Sequence, residues 1–208
     1  RVSPKTRLLL GPGYVLLRPE FAQEPARLFR EAVSRVLITV GGMDEHELMP
    51  RLVEWTGQAM GDAVLDVVIG PFFDDNLVKR IIKTAEGSNS VTLHYNPASM
   101  RDLMLECDLA VSGGGQTLYE LAAAGTPTVA IRLADNQTWN LQGFVSHGVL
   151  EWIGDSHDGD LEVKLQASLR RLAENGRTRE MMGLAGRRLV DGRGACRVAQ
   201  ALLEDFGH

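Results

Sequence analysis

Between residues 22 and 153, short apolar runs of strand length alternate with segments of helical spacing, and the connections between them are short. Such alternation leaves few solutions. Strands joined through helices run parallel, the crossovers are right-handed, and both faces of the sheet are covered. The runs Val36–Val40, Val64–Ile69, Val91–Tyr95, Asp108–Ser112, Thr128–Ile131 and Leu150–Ile153 are continuous rather than alternating, as expected of strands buried on both sides. Helices are expected over 24–35, 45–60, 75–86, 99–106, after Gly115, and over 137–146. After Gly154 the strand signal stops. Three helices, over 160–175, 177–190 and 194–206, should pack over one face or edge of the sheet. The expected fold is α/β, a Rossmann-like parallel sheet of about six strands with helices on both faces and a helical C-terminal tail. Residues 1–21, with Gly11-Pro12-Gly13 as a turn, read as a connector, and 22–208 as one domain.

Composition narrows the function classes. A chain of 208 residues, 44% of them hydrophobic, can fill one substantial core. The formal net charge of −5 provides no broad basic field for nucleic acid or anionic lipid. No run approaches 18 apolar residues and no signal peptide is visible, so a cytoplasmic location is expected. The two cysteines, Cys107 and Cys196, form no CxxC and read as reduced thiols. The histidines, at 46, 94, 147, 157 and 208, show neither HExxH nor zinc spacing, so neither a metal site nor a cofactor is assigned.

The segment DLAVSGGGQTLYELAAAGTPTVAIRLADNQTWN, residues 108–140, carries the most functional information. Gly113, Gly114 and Gly115 remove side chains where a helix begins. The unpaired N–H groups there, with those of Gln116 and Thr117, suit a diphosphate. The alternative is a tight turn requiring positive φ. The spacing is neither GxGxxG nor that of a P-loop. Glu120, one turn into the helix, could bond a ribose diol; equally, Thr117-x-x-Glu120 has the spacing of a capping box. Asn136, Gln137 and Asn140 follow the next strand and could grip a sugar or phosphate, or cap the helix. Gly41 and Gly42, with Asp44 as the alternative helix cap, form a second main-chain-rich loop on the same sheet edge. The arginines 187, 188, 193 and 197 read as a solvated helical face.

The string SGGGQTLYELAAAGTPTVAI…ADNQ resembles the nucleotide-binding C-terminal half of GT-B glycosyltransferases. It looks most like the UDP-2,4-diacetamido-2,4,6-trideoxy-β-L-altropyranose hydrolases and the related spore-coat polysaccharide proteins. LLGPGYVLLRPEF, Val36–Gly42 and the spaced set Asn96, Met100, Leu103, Met104 and Asp108 are also similar to that group. The lipid II-forming N-acetylglucosaminyltransferase is a more distant likeness. The resemblance implies that main chain at Gly114 to Thr117 holds the diphosphate and Glu120 the ribose. It implies that main chain around Asn96, Pro97 and Ala98 reads uracil, and that Asn136 and Gln137 sit by the sugar or phosphate. The ligand implied is UDP or a UDP-sugar, in surface polysaccharide or nonulosonic acid biosynthesis. The glycine-rich loop carrying the hydrolase's water-activating histidine has no counterpart here, and Leu8–Phe21 matches the interdomain connector. The resemblance therefore implies a partner N-terminal domain that contributes the catalytic groups, with this segment binding rather than reacting. Whether the whole is a hydrolase or a transferase stays open. So do a non-hydrolysing UDP-sugar 2-epimerase-like domain and a non-catalytic interaction domain that retains the fold.

Overall fold

The computed structural model describes residues 6–23, 27, 29–86 and 90–206. Six strands form one parallel sheet: β1 (Arg35–Thr39), β2 (Val64–Ile69), β3 (Val91–Tyr95), β4 (Leu109–Gly113), β5 (Thr128–Arg132) and β6 (Leu150–Asp155), in the order β3-β2-β1-β4-β5-β6. Every pairing is parallel. The helices are α1 (Met49–Met60), α2 (Asp75–Glu86), α3 (Met100–Glu106), α4 (Thr117–Ala124), α5 (Thr138–Ser146), α6 (Leu161–Glu174), α7 (Gly176–Leu189) and α8 (Gly194–Phe206). The Rossmann-like expectation is met, and the six strands lie within two residues of their expected limits.

The alternation of side chains along each strand builds two cores. Val36 and Ile38 of β1 and Val67 of β2 face Leu52 of α1, Ile81 of α2 and Leu165 of α6. Leu37 and Val68 face the other way, toward Met104 of α3, Leu121 of α4 and Phe144 of α5. Phe21 of the connector joins this second core, so the connector is part of the packed body.

Two expectations require correction. Residues 29–34 are not helical (24–26 and 28 lie outside the described residues). Tertiary partners take the groups that a helix would use. Ser34 N–H and Arg35 N–H both donate to Asp108 Oδ2, at 2.8 and 3.1 Å, and the buried Arg179 donates to the carbonyls of Arg30 and Glu31. Nor does the helical tail cover one face. α6 packs on α1, whereas α7 packs on α4. Gly183 and Gly186 allow the latter approach: a Cβ on either would lie 2.5 Å from Gly125 O or 2.9 Å from Ala122 O. α8 lies on the connector turn at Pro12–Tyr14.

Asp191 ties the start of α8 together. It accepts from Arg193 N–H (3.0 Å) and from Arg197 Nη1 (2.8 Å). Hydrogen bonding from Arg197, against some opposing burial, holds its carboxyl at about 2. A depressed acid adds stability that is full above its unfolded value, about 3.9, and is lost as pH falls toward the folded one. The Tm difference between wild type and Asp191→Asn should therefore be small and constant at neutral pH and should close by about pH 2, near the folded pKa.

Candidate nucleotide site

The strand order reverses direction between β1 and β4, each of which starts a series running outward. Ligands of open α/β sheets bind at such a point, beyond the carboxyl ends of the strands. A cleft of about 200 Å3 lies there, and its lining includes Arg18, Gly41, Asn96, Pro97, Thr117 and Glu120. Five segments far apart in sequence thus meet on one sheet edge: the connector and the turns after β1, β2, β3 and β4.

The start of α4 supplies the donors. Leu118 N–H and Tyr119 N–H donate back to Gly115 O and Gln116 O. Among the described residues the N–H groups of Gly115, Gln116 and Thr117 have no acceptor, which leaves them available to an anion. Gly114 N–H is already engaged, donating to Gln137 Oε1 at 3.1 Å. The same oxygen accepts from Leu133 N–H at 2.9 Å. Gln137 therefore pins the glycine loop to the end of β5.

None of the three glycines has positive φ, so turn geometry does not account for them. Close packing accounts for two. A Cβ on Gly113 would lie 2.6 Å from Leu133 Cδ1, and one on Gly114 2.9 Å from both Gln137 Oε1 and Leu141 Cδ1. Gly115 alone has open space around it, with nothing nearer than Gln137 Nε2 at 3.9 Å. Gly41 does need its conformation, with φ of +99°. So does Asn96, at +45°, a region that asparagine tolerates better than most residues.

The capping box does not form. Thr117 is the first helical residue, and the residue preceding it, Gln116, makes no side-chain cap. Glu120 instead lies against Arg18, whose Nη2 is 3.5 Å from both Glu120 Oε1 and Glu20 Oε1. Burial raises the Glu120 carboxyl, Arg18 opposes this, and Glu20 adds to it. Glu20 Oε1 is buried with no hydrogen-bond partner. The connector thus supplies charged groups to the cleft. Sequence reasoning missed Arg18 and Glu20 because LLRPEF was read as a linker; the charged pair inside an otherwise apolar stretch was the available signal.

The remaining residues divide. Asp44 caps α1, accepting from Leu48 and Met49 N–H at 3.0 and 2.7 Å. Ala98 and Asn136 are exposed and do not line the cleft. Asn140 Oδ1 accepts from the Tyr119 hydroxyl at 2.9 Å, a bond between α4 and α5. Among the described residues no group of three or more His, Cys, Asp or Glu could hold a metal, and no helix is long and apolar enough to cross a membrane.

No family model matches the chain. Among solved structures, the chain superposes on Acinetobacter baumannii MurG with a TM-score of 0.64 at 17% identity, over 98% of this chain and 57% of that one. The fold is that of a GT-B C-terminal domain. Among curated proteins, the Bacillus subtilis spore coat polysaccharide biosynthesis protein SpsG is 27% identical over 211 residues, covering 99% of this chain and 60% of that protein. A Helicobacter pylori protein named pseudaminic acid cytidylyltransferase and UDP-2,4-diacetamido-2,4,6-trideoxy-beta-L-altropyranose hydrolase is 28% identical over 156 residues, covering 72% of this chain and 26% of that protein. The chain thus spans between about a quarter and three-fifths of the length of these two relatives. The spore-coat and hydrolase resemblance read from the sequence is met by both.

Proposed function

We propose that this domain binds UDP or a UDP-sugar, as one half of a two-domain enzyme that cleaves the anomeric C–O bond in surface polysaccharide or nonulosonic acid biosynthesis. The observation that carries the reading is the cleft at the topological switch point. It is lined by Thr117, the first residue of α4, and by the half-buried Glu120. The name of the Helicobacter pylori relative, which includes a UDP-sugar, supports the ligand class, and that of the spore-coat relative supports polysaccharide biosynthesis.

In this reading the N–H groups of Gly115, Gln116 and Thr117 hold the diphosphate, and the Glu120 carboxylate accepts from the ribose hydroxyls. Asn96 and Pro97 present main chain to the base. Charge builds on the UDP leaving group as the C–O bond breaks, and helix-start donors already aimed at it lower the barrier; removing one such donor costs about 2.7–4 kcal/mol in comparable sites. An activated water or an acceptor hydroxyl, presented by the partner domain, completes a hydrolase or a transferase respectively.

Thermal unfolding with UDP tests the reading. A site with Kd near 10 μM should gain about 2.7 kcal/mol at about 1 mM UDP, raising Tm by roughly 5–10 °C for a domain of this size. An unchanged Tm would favour an interaction domain that has kept the fold without the ligand.

A further inference from the structure

The arginines of the helical tail divide. Arg197 is engaged, donating to Asp191 Oδ1 and to Gly13 O, each at 2.8 Å. Among the described residues, Arg187, Arg188 and Arg193 are the arginines whose side chains make no hydrogen bond, ion pair or ring contact with the protein. Every other described arginine has at least one such partner. Arg187 and Arg193 line one cavity of about 180 Å3. We propose that this cavity binds a phosphoryl dianion, either inorganic phosphate or a phosphate monoester, separately from the diphosphate site at the start of α4.

The cavity lies where the connector (Phe21, Gln23), the end of α4 (Ala123) and the turn between α7 and α8 (Val190, Asp191) meet. The first residue of α4 lines the nucleotide cleft and Ala123, near its last, lines this cavity, so the two sites stand at opposite ends of one helix.

Charge balance sets the ligand class. The carboxylate in the wall, Asp191, accepts from Arg197 and from Arg193 N–H, and Arg197 balances its charge. The guanidinium groups of Arg187 and Arg193 are left over, in a chain whose net charge is −5. Each offers planar, paired N–H donors that match phosphate oxygens, and a phosphate monoester carries about −1.5 to −2 at neutral pH. The positive field extends inward. Burial lowers the Arg27 guanidinium to about 10, Asp108 opposes this, and Arg30 and Arg187 add to the lowering.

Both arginines are carried on closely packed main chain. The stem of Arg187 lies over Gly125, the left-handed residue (φ +71°) that closes α4; a Cβ there would be 3.1 Å from Arg187 Cδ. Arg193 follows Gly192, whose φ is +72° and where a Cβ would run into Phe21 O of the connector. Groups placed in advance lose less freedom when they hold a ligand.

The test follows arginine Nε–H and backbone amide NMR signals of the intact chain during titration with inorganic phosphate and with glycerol 3-phosphate, at fixed ionic strength. The arginine signals report this cavity and the amides of Gly115, Gln116 and Thr117 report the start of α4, so the outcome does not depend on the nucleotide reading. The Arg187 and Arg193 signals should shift together and saturate. Arg187→Gln and Arg193→Gln should each weaken binding about tenfold, the lower end for one hydrogen bond to a charged group. Arg193 is exposed, so Arg193→Gln decides the matter if loss of the packed Arg187 stem disturbs the fold. Tighter binding of glycerol 3-phosphate assigns the cavity to a monoester, and binding no tighter than that of phosphate assigns it to the free ion. Shifts that never saturate and that sodium chloride reproduces would be screening alone and would overturn the site. So would a midpoint unchanged in Arg193→Gln, or shifts confined to Gly115, Gln116 and Thr117.

Discussion

Replacing Asp66 by alanine will cost about 3 kcal/mol of folding stability, the largest effect expected of any single substitution in this chain. Asp66 sits in the middle of β2, wholly buried, and accepts from three side chains. Arg35 Nε and Nη2 reach its two oxygens at 3.0 and 2.7 Å, His94 Nε2 approaches at 2.8 Å, and the Cys107 thiol donates at 3.5 Å. Removal of the carboxylate leaves a guanidinium, an imidazole and a thiol facing an empty space under α3. Burial, with the Asp66 charge next in size, pushes the Cys107 thiol far above its usual range, so it stays protonated and supplies no compensating charge. The estimate lies at the lower end for a broken buried pair because the Arg35 side chain is one-third exposed and can recover some hydration. Urea unfolding should show a shifted midpoint with an unchanged slope. The double variant Arg35→Met, Asp66→Leu should recover a large part of the loss, because apolar replacements of a buried pair remove the stranded charge. A loss below about 1 kcal/mol for Asp66→Ala would mean that the cluster is hydrated and contributes little.

The second large effect concerns the ligand. Glu120→Ala should weaken UDP by about 3 kcal/mol, on the order of 150-fold in Kd, if its carboxylate accepts from both ribose hydroxyls, since hydrogen bonds to charged groups contribute about 1.5–3 kcal/mol each. Inorganic pyrophosphate, which has no ribose, should lose no more than a few-fold. Because the capping box does not form, the substitution removes no bond from the start of α4, and the comparison of the two ligands is clean. Equal weakening of both would show that Glu120 acts through Arg18, which sits 3.5 Å away, rather than on the sugar. The readout is calorimetric titration of each ligand at one pH. That pH should lie well above the usual glutamate range, because burial raises this carboxyl and only the ionised form accepts both hydroxyl protons.

Much of this architecture was legible because it depends on local pattern. Continuous apolar runs specify strands buried on both faces, and helical spacing between them specifies crossovers, so β2, β3 and α2 have the limits read from the sequence. The segment before β1 shows where that reasoning stops. Leu28, Phe29, Ala32 and Val33 have helical spacing, yet Asp108 and Arg179 hold the chain at 30, 31, 34 and 35 out of a helix through bonds to residues more than 70 positions away. No local signal carries those partners. The glycines teach a related lesson. Three in a row marked the right loop, but Gly113 and Gly114 are small because Leu133, Gln137 and Leu141 press on them, a contact that becomes visible only once β4 and β5 are side by side.

The amino-acid sequence by itself determined the parallel six-stranded sheet, its two buried faces and the edge on which main-chain N–H groups would be bare, because these follow from periodicity and from the geometry of a helix start. Only the tertiary structure decided the company those groups keep. It placed Arg18 and Glu20 of the supposed linker beside Glu120 and spent Gln137 on joining two loops. Each of these depends on the strand order, which brings distant turns to one edge and which no stretch of residues encodes alone.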